Sequence, residues 1–218
     1  MALTEKQIEE LFRFCEKKFV RQYDLQLELV DHLAERIEEE MATDSRLSFE
    51  EALQKVYKGF GIFGFAHIVQ DRAAMLEKRN SKLWWSQVKT FVVLPRILLT
   101  LSLGLLFYQL AAFINEEICT IVLCTTWLGG FICQAHTLLR LRKSMHKNLM
   151  LTQNLSAATS FTPFFLIQFL FDSRISTQPV VFAVLMVFGI IYHVAFVVVV
   201  KNISEEARKL YPQAFKTA

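Results

Sequence analysis

Long apolar runs dominate the chain between residues 91 and 200, and only short charged segments interrupt them. A helix needs roughly 20 apolar residues to cross about 30 Å of hydrocarbon. The runs therefore predict four membrane-spanning helices, over residues 91–114, 118–139, 149–171 and 180–200. Because a lipid-exposed backbone must satisfy its hydrogen bonds within a helix or a closed barrel, and no alternating strand pattern occurs, we expect an all-α membrane bundle.

Basic residues are concentrated at three of the five hydrophilic positions around these spans. They precede the first span, fill the second connection and follow the fourth span: Lys78, Arg79, Lys82, Lys89, Arg140, Arg142, Lys143, Lys147, Lys201, Arg208 and Lys209. The other two connections contain Arg174 as their only basic residue. Cytoplasmic loops carry the excess of Lys and Arg. We therefore expect a multi-pass membrane protein with both termini in the cytoplasm.

The first 80 residues have the periodicity of amphipathic helices rather than of spans. Thr4 with Gln7, and Ser48 with Glu51, have the spacing of capping boxes, which mark helix starts. Apolar residues at helical spacing predict helices over residues 5–20 and 25–41, a short helix that ends with a left-handed cap at Gly59, and a fourth helix from about Phe65 past Glu77.

The second of these helices places its apolar residues on one narrow stripe. Leu29, Leu33 and Ile37 recur four residues apart, whereas the opposite face is acidic. A stripe of this width is expected to pack against one neighbouring helix. The sequence therefore predicts that these three residues pack against the first helix.

Three short motifs in this region resemble the HAAS and permease-prefix helical modules of bacterial membrane proteins. The motifs are Glu28-Leu-Val-Asp-His32-Leu-Ala-Glu35, then Leu47-Ser48-Phe-Glu-Glu51-Ala52, then Gly59-Phe-Gly61. The resemblance implies a protein of the bacterial inner membrane with a cytoplasmic helical domain placed ahead of membrane segments, a regulatory role and no catalytic residues. The chain departs from the pattern after the turn, where apolar Ile62-Phe63 stands in place of polar residues.

The predicted organisation is thus a small cytoplasmic helical domain followed by a four-helix transmembrane bundle. The parts are residues 1–80, an interfacial junction at 81–90, the spans at 91–200 and a cytoplasmic tail at 201–218. Residues 1–80 carry a net charge of −4 and the remainder +7. Since the basic excess follows the span ends, it indicates topology, and we expect no nucleic-acid partner.

Histidines supply the weak candidates for metal or cofactor binding. His32 lies near Glu28, and His67 lies four residues before Asp71, so two helices could pool a metal site. Such His–carboxylate pairs on surface helices are more often packing or helix-stabilising pairs, and we expect no metal and no cofactor.

Within the predicted spans, two further histidines lie at depths that differ by about 6 Å, given a rise of 1.5 Å per residue. They are His136 and His193. Ionisable groups inside a membrane are functional candidates, and this pair makes haem binding a second alternative.

The third predicted span is the most polar of the four. Gln153, Ser156, Ser160 and Gln168 are its candidates for partner binding or helix packing. Together with Asn154 and Gln134, the same residues would line a pathway if the protein were a small transporter or channel subunit.

No nucleotide-binding or hydrolase motif occurs, and the spans contain no Asp or Glu. The leading hypothesis is therefore a non-enzymatic membrane protein whose cytoplasmic domain binds or regulates a protein partner or a second copy of the chain. The alternatives are the transporter or channel subunit, and a haem-binding or other redox membrane protein. The bilayer itself is the other expected partner.

Overall fold

A computed structural model describes residues 2–153, 155 and 178–216, and these are predominantly helical. The α-helices are α1 (Glu5–Lys17), α2 (Tyr23–Thr43), α3 (Phe49–Lys58), α4 (Ala66–Thr90), α5 (Arg96–Phe113), α6 (Glu116–Ser144), α7 (Met150–Gln153) and α8 (Pro179–Leu210), followed by a 3₁₀ turn at Pro212–Ala214. The chain forms two compact units. The first contains Met1–Leu76, Met145–Gln153 and Leu210–Ala218, and the second contains Glu77–Ser144 and Asn154–Lys209.

Helix α2 is the centre of the first unit. It contacts α1, α3 and α7. Leu29, Leu33 and Ile37 are buried on it, as their spacing predicts, and Leu11 and Cys15 are buried on α1. Their burial removes apolar surface from water, which is the main favourable term in forming this core.

Both predicted capping boxes are confirmed. The Thr4 and Ser48 hydroxyls accept the backbone N–H of Gln7 and Glu51 respectively, and these two side chains bond back to the cap residues. Each pair therefore satisfies donors that the first turn of its helix leaves without a partner.

The prediction of a left-handed cap at Gly59 is wrong. Gly59 is right-handed, with φ −63° and ψ −19°. The turn continues instead, since the Gly61 N–H donates to the Lys58 carbonyl at 3.1 Å. The left-handed conformation is found at Gly61 and Gly64, with φ of 73° and 52°.

Three described helices, α5, α6 and α8, are long and apolar enough to cross a membrane. They correspond to the first, second and fourth predicted spans, and α6 and α8 continue past the predicted ends at residues 139 and 200. Most of the predicted third span, 149–171, lies outside the described residues. Helix α8 is the most enclosed, because half of its most apolar window is buried, against 6% for α5 and 22% for α6.

Small residues allow α6 and α8 to approach closely. A Cβ atom on Gly130 would lie 2.2 Å from the His193 ring, and one on Gly189 would lie 2.9 Å from the Trp127 indole. At Gly129, beside Gly130, a Cβ atom would have none of the described atoms within 4 Å. Close packing of α6 on α8 therefore requires glycine at positions 130 and 189, whereas the described contacts set no such requirement at Gly129.

Helix α4 is unbroken through Asn80 and through the predicted junction at residues 81–90. Within the second unit, the Trp84 ring lies 5.5 Å from that of Tyr192, and Arg79 forms an ion pair with Glu206. These contacts join the second half of α4 to α8.

Candidate functional site at the start of α2

The start of α2 has no side-chain cap of its own. Its cap residue, Gln22, makes no capping hydrogen bond. Asp24, in the first turn, instead accepts the backbone N–H of Met150 at 2.8 Å and that of Leu151 at 2.9 Å. The carboxylate of one helix therefore caps the first turn of another, α7.

Two neighbours of Asp24 bond to the same stretch of chain, residues 145–153, which we call the connection segment. The Tyr23 N–H donates to the Asn148 carbonyl at 2.8 Å. The Gln22 amide donates to the Gln153 side-chain oxygen at 3.0 Å. Three consecutive residues at the start of α2 thus hold the connection segment; we call this contact the Asp24 interface.

Lys147 adds a cation–π contact to this interface. Its ammonium nitrogen lies 3.7 Å from the centroid of the Tyr23 ring. An interaction of this kind contributes about 0.5–1 kcal/mol where it is exposed and more where it is desolvated.

The end of the chain contacts the connection segment as well. The His146 N–H donates to the Ala214 carbonyl at 3.0 Å, and Met145 forms an antiparallel bridge with Phe215. Ala214 and Leu149 are fully buried. Three parts of the chain that are distant in sequence therefore form one packed site in the first unit.

Burial makes the two long-range hydrogen bonds of Asp24 necessary. Its side chain is only 9% exposed, and a carboxylate removed from water is costly unless it is paired or hydrogen-bonded. The N–H groups of Met150 and Leu151 lie in the first turn of α7, which leaves them without a partner inside that helix. Each hydrogen bond to a charged group contributes about 1.5–3 kcal/mol, so Asp24 is expected to fix the position of the connection segment.

The metal candidates of the first unit do not converge. His67 bonds to Asp71 at 2.8 Å, and Glu28 pairs with Arg72 at 3.7 Å. His32 is exposed on α2. Within the described ranges, no three His, Cys, Asp or Glu side chains lie close enough together to hold a metal ion.

The two membrane histidines face different surroundings. The His193 Nδ1 atom lies 2.9 Å from the Gln134 amide nitrogen, whereas His136 is exposed two residues further along α6. Two residues correspond to about 200° around a helix, so His136 points away from this pair. The Nε2 atom of His193 lies 2.3 Å from where a Gly130 Cβ would be, which leaves no room for a macrocycle on that side.

Of the four candidates in the third predicted span, only Gln153 lies in the described part of the chain, and it belongs to the Asp24 interface. Ser156, Ser160 and Gln168 lie outside the described residues. The sequence carried no signal for Asp24, because its partners are 126 and 127 residues away.

Comparisons with protein-family models, with curated proteins and with solved structures gave no match.

Proposed function

We propose that this protein is a non-enzymatic, four-span protein of the bacterial inner membrane. Its N-terminal helical domain lies in the cytoplasm, binds a protein partner and transmits the bound state to the membrane helices. Three helices of spanning length support the membrane assignment. The distribution of Lys and Arg supports the orientation, and the resemblance to HAAS and permease-prefix modules supports the regulatory role.

The observation that carries the proposal is the Asp24 interface. The connection segment directly follows α6 and includes the first residues of the predicted third span, and the terminal turn directly follows α8. A shift at the start of α2 would therefore be passed along the backbone to the adjoining ends of α6 and α8. A domain that only tethers a partner would not need a buried carboxylate at this position.

The apolar turn after α3 is the proposed partner contact. Ile62 is 100% exposed and Phe63 is 79% exposed. The base of the turn is held by aromatic contacts, since the Phe65 ring lies 5.2 Å from that of Tyr57 and 5.0 Å from that of Phe60. An ordered turn that presents two large apolar side chains to water favours an apolar pocket on a cytoplasmic protein as its occupant.

The experiment is purification of the full chain from its native membrane in polymer-bounded lipid discs. The wild type is expected to bring down one stoichiometric companion protein. Ile62→Ser combined with Phe63→Ser should lose it, because both side chains would contact the partner. Met75→Ser is the matched control, since Met75 is 60% exposed on α4 and should retain the companion.

Three results would contradict the proposal. A homo-oligomer without a companion that conducts ions in liposomes would favour the transporter or channel. A Soret absorbance band in the purified protein would favour the haem-binding alternative. Retention of the companion by the Ile62→Ser, Phe63→Ser double variant would show that the turn is not the contact.

A further inference from the structure

A groove between the ends of α6 and α8, with a volume of about 510 Å³, lies within the second unit. His136 and Arg140 of α6 are four positions apart in sequence, and both line the groove. On α8 the lining residues follow a helical spacing of three and four: Lys201, Ser204, Glu205 and Arg208. These spacings place each set on one face of its helix, so the two faces form opposite walls of the groove.

The groove lies where the apolar parts of both helices end. Arg140 is the first charged residue after the apolar run of α6, and Lys201 is the first after that of α8. In a membrane, the residues at this point are level with the lipid headgroups. The groove therefore opens at headgroup depth and not in the hydrocarbon.

Its charge is suited to an anion. Arg140, Lys201 and Arg208 contribute three positive charges and Glu205 one negative charge, which leaves +2. Guanidinium groups bind phosphate oxygens through two parallel hydrogen bonds, and lysine adds a point charge. Glu205 offers an acceptor for a headgroup hydroxyl, since an ionised phosphodiester has no O–H of its own.

We propose that this groove binds the phosphodiester headgroup of an anionic phospholipid that carries hydroxyl groups, such as phosphatidylglycerol. Arg140 and Lys201 hold the phosphate, and Glu205 accepts a hydrogen bond from a headgroup hydroxyl. Basic pockets between spanning helices on the cytoplasmic side are established sites for anionic headgroups. The site does not depend on the proposed partner and would exist in a transporter as well.

Native mass spectrometry of the full chain in detergent tests the proposal, with phosphatidylglycerol, phosphatidylcholine of the same acyl chains, and inorganic phosphate as separate probes. The wild type is expected to retain one phosphatidylglycerol with at least tenfold preference over phosphatidylcholine. Arg140→Gln combined with Lys201→Gln should weaken retention at least tenfold.

The control removes the same number of charges from the same two helices outside the groove, as Arg142→Gln combined with Lys209→Gln. It should bind as the wild type does. An equal loss of phosphatidylglycerol retention in both double variants would mean that the lipid is attracted diffusely to the basic surface, and it would overturn the proposal. Equal retention of phosphatidylcholine, or displacement of the lipid by millimolar inorganic phosphate, would overturn it too, the latter in favour of a soluble phosphate site.

Discussion

Phe19 takes a backbone conformation that its residue type disfavours. Its φ is 66°, at the position after the end of α1 where glycine is the usual residue. The Val20 N–H donates to the Cys15 carbonyl and the Phe19 N–H to that of Glu16, which is the hydrogen-bond pattern of a Schellman motif. The Phe19 side chain is 79% exposed, so its packing offsets little of the strain.

Phe19→Gly is therefore expected to stabilise the first unit by about 1 kcal/mol, since it relieves the left-handed strain. Phe19→Ala is the matched control, because it removes the ring but retains the Cβ atom and the strain. Equal stabilities of the two variants would contradict this explanation.

Alkylation of Cys15 measures the stability of the first unit in these two variants. Cys15 is fully buried, and burial raises the pKa of its thiol to about 12. The thiol is thus unreactive until the unit opens. The rate of alkylation by a membrane-impermeant maleimide, in a chain with the other three cysteines replaced by alanine, reports the free energy of opening.

Local hydrogen bonds made the start of α3 predictable from sequence. Ser48 and Glu51 are three residues apart, and both bonds of the capping box form between them. The hydrogen bonds from the Ser48 backbone and side chain lower the pKa of Glu51 below its ordinary value of 4.5. The stabilisation from ionised Glu51 is therefore fully present above about pH 4.5 and is lost as the pH falls through the lower folded-state pKa.

Glu51→Gln should accordingly lower the thermal unfolding midpoint of the full chain at pH 6, and lower it by less at pH 3. Glutamine retains a neutral capping box, and protonated glutamate gains nothing from its charge. Circular dichroism in detergent at both pH values measures the difference. In a Ser48→Ala background the pH dependence should become smaller but persist, because the backbone N–H of residue 48 still donates to Glu51, and an undiminished pH dependence would rule out a contribution from the hydroxyl.

The contact between α6 and α8 depends on which faces of the two helices meet, and helical periodicity does not determine this. Apolar runs predicted both helices, because length and composition suffice for a span. Apolar runs could not show which of Gly129 and Gly130 faces α8. Adjacent residues differ by about 100° around a helix, and nothing in the sequence fixes the face that meets α8. For the same reason, the spacing placed His136 and His193 at comparable depths but could not show that His193 lies beside Gln134 while His136 faces another way.

Gly130→Ala is expected to destabilise the packing of α6 on α8 by about 1–3 kcal/mol, because the added methyl group would overlap the His193 ring. Gly129→Ala is the matched control and should be neutral or slightly stabilising, since no atom of the described residues lies within 4 Å of the added Cβ. Unfolding of the purified chain in sodium dodecyl sulfate titrations would measure the change in the free energy of unfolding for both variants. Similar losses for the two variants would contradict the assigned helix face.

At the scale of the whole molecule, the first compact unit contains more than the N-terminal helices. The connection segment and the chain end belong to it as well. Hydrophobic periodicity divides a chain into consecutive parts, so it predicted a domain at residues 1–80 and a tail at 201–218. The Asp24 contacts join residues 126 and 127 positions apart, and periodicity carries no information about such pairs.

We conclude that the N-terminal helices hold the connection segment through Asp24, and hydrogen exchange of the full chain in lipid discs tests this directly. Asp24→Ala should speed exchange at the Met150 and Leu151 amides about 100-fold, because it removes roughly 3 kcal/mol of charge-assisted hydrogen bonding. Asp31→Ala, at an exposed position on the same helix, should leave these amides unchanged. Unchanged exchange in Asp24→Ala, or an equal increase in Asp31→Ala, would contradict the claim.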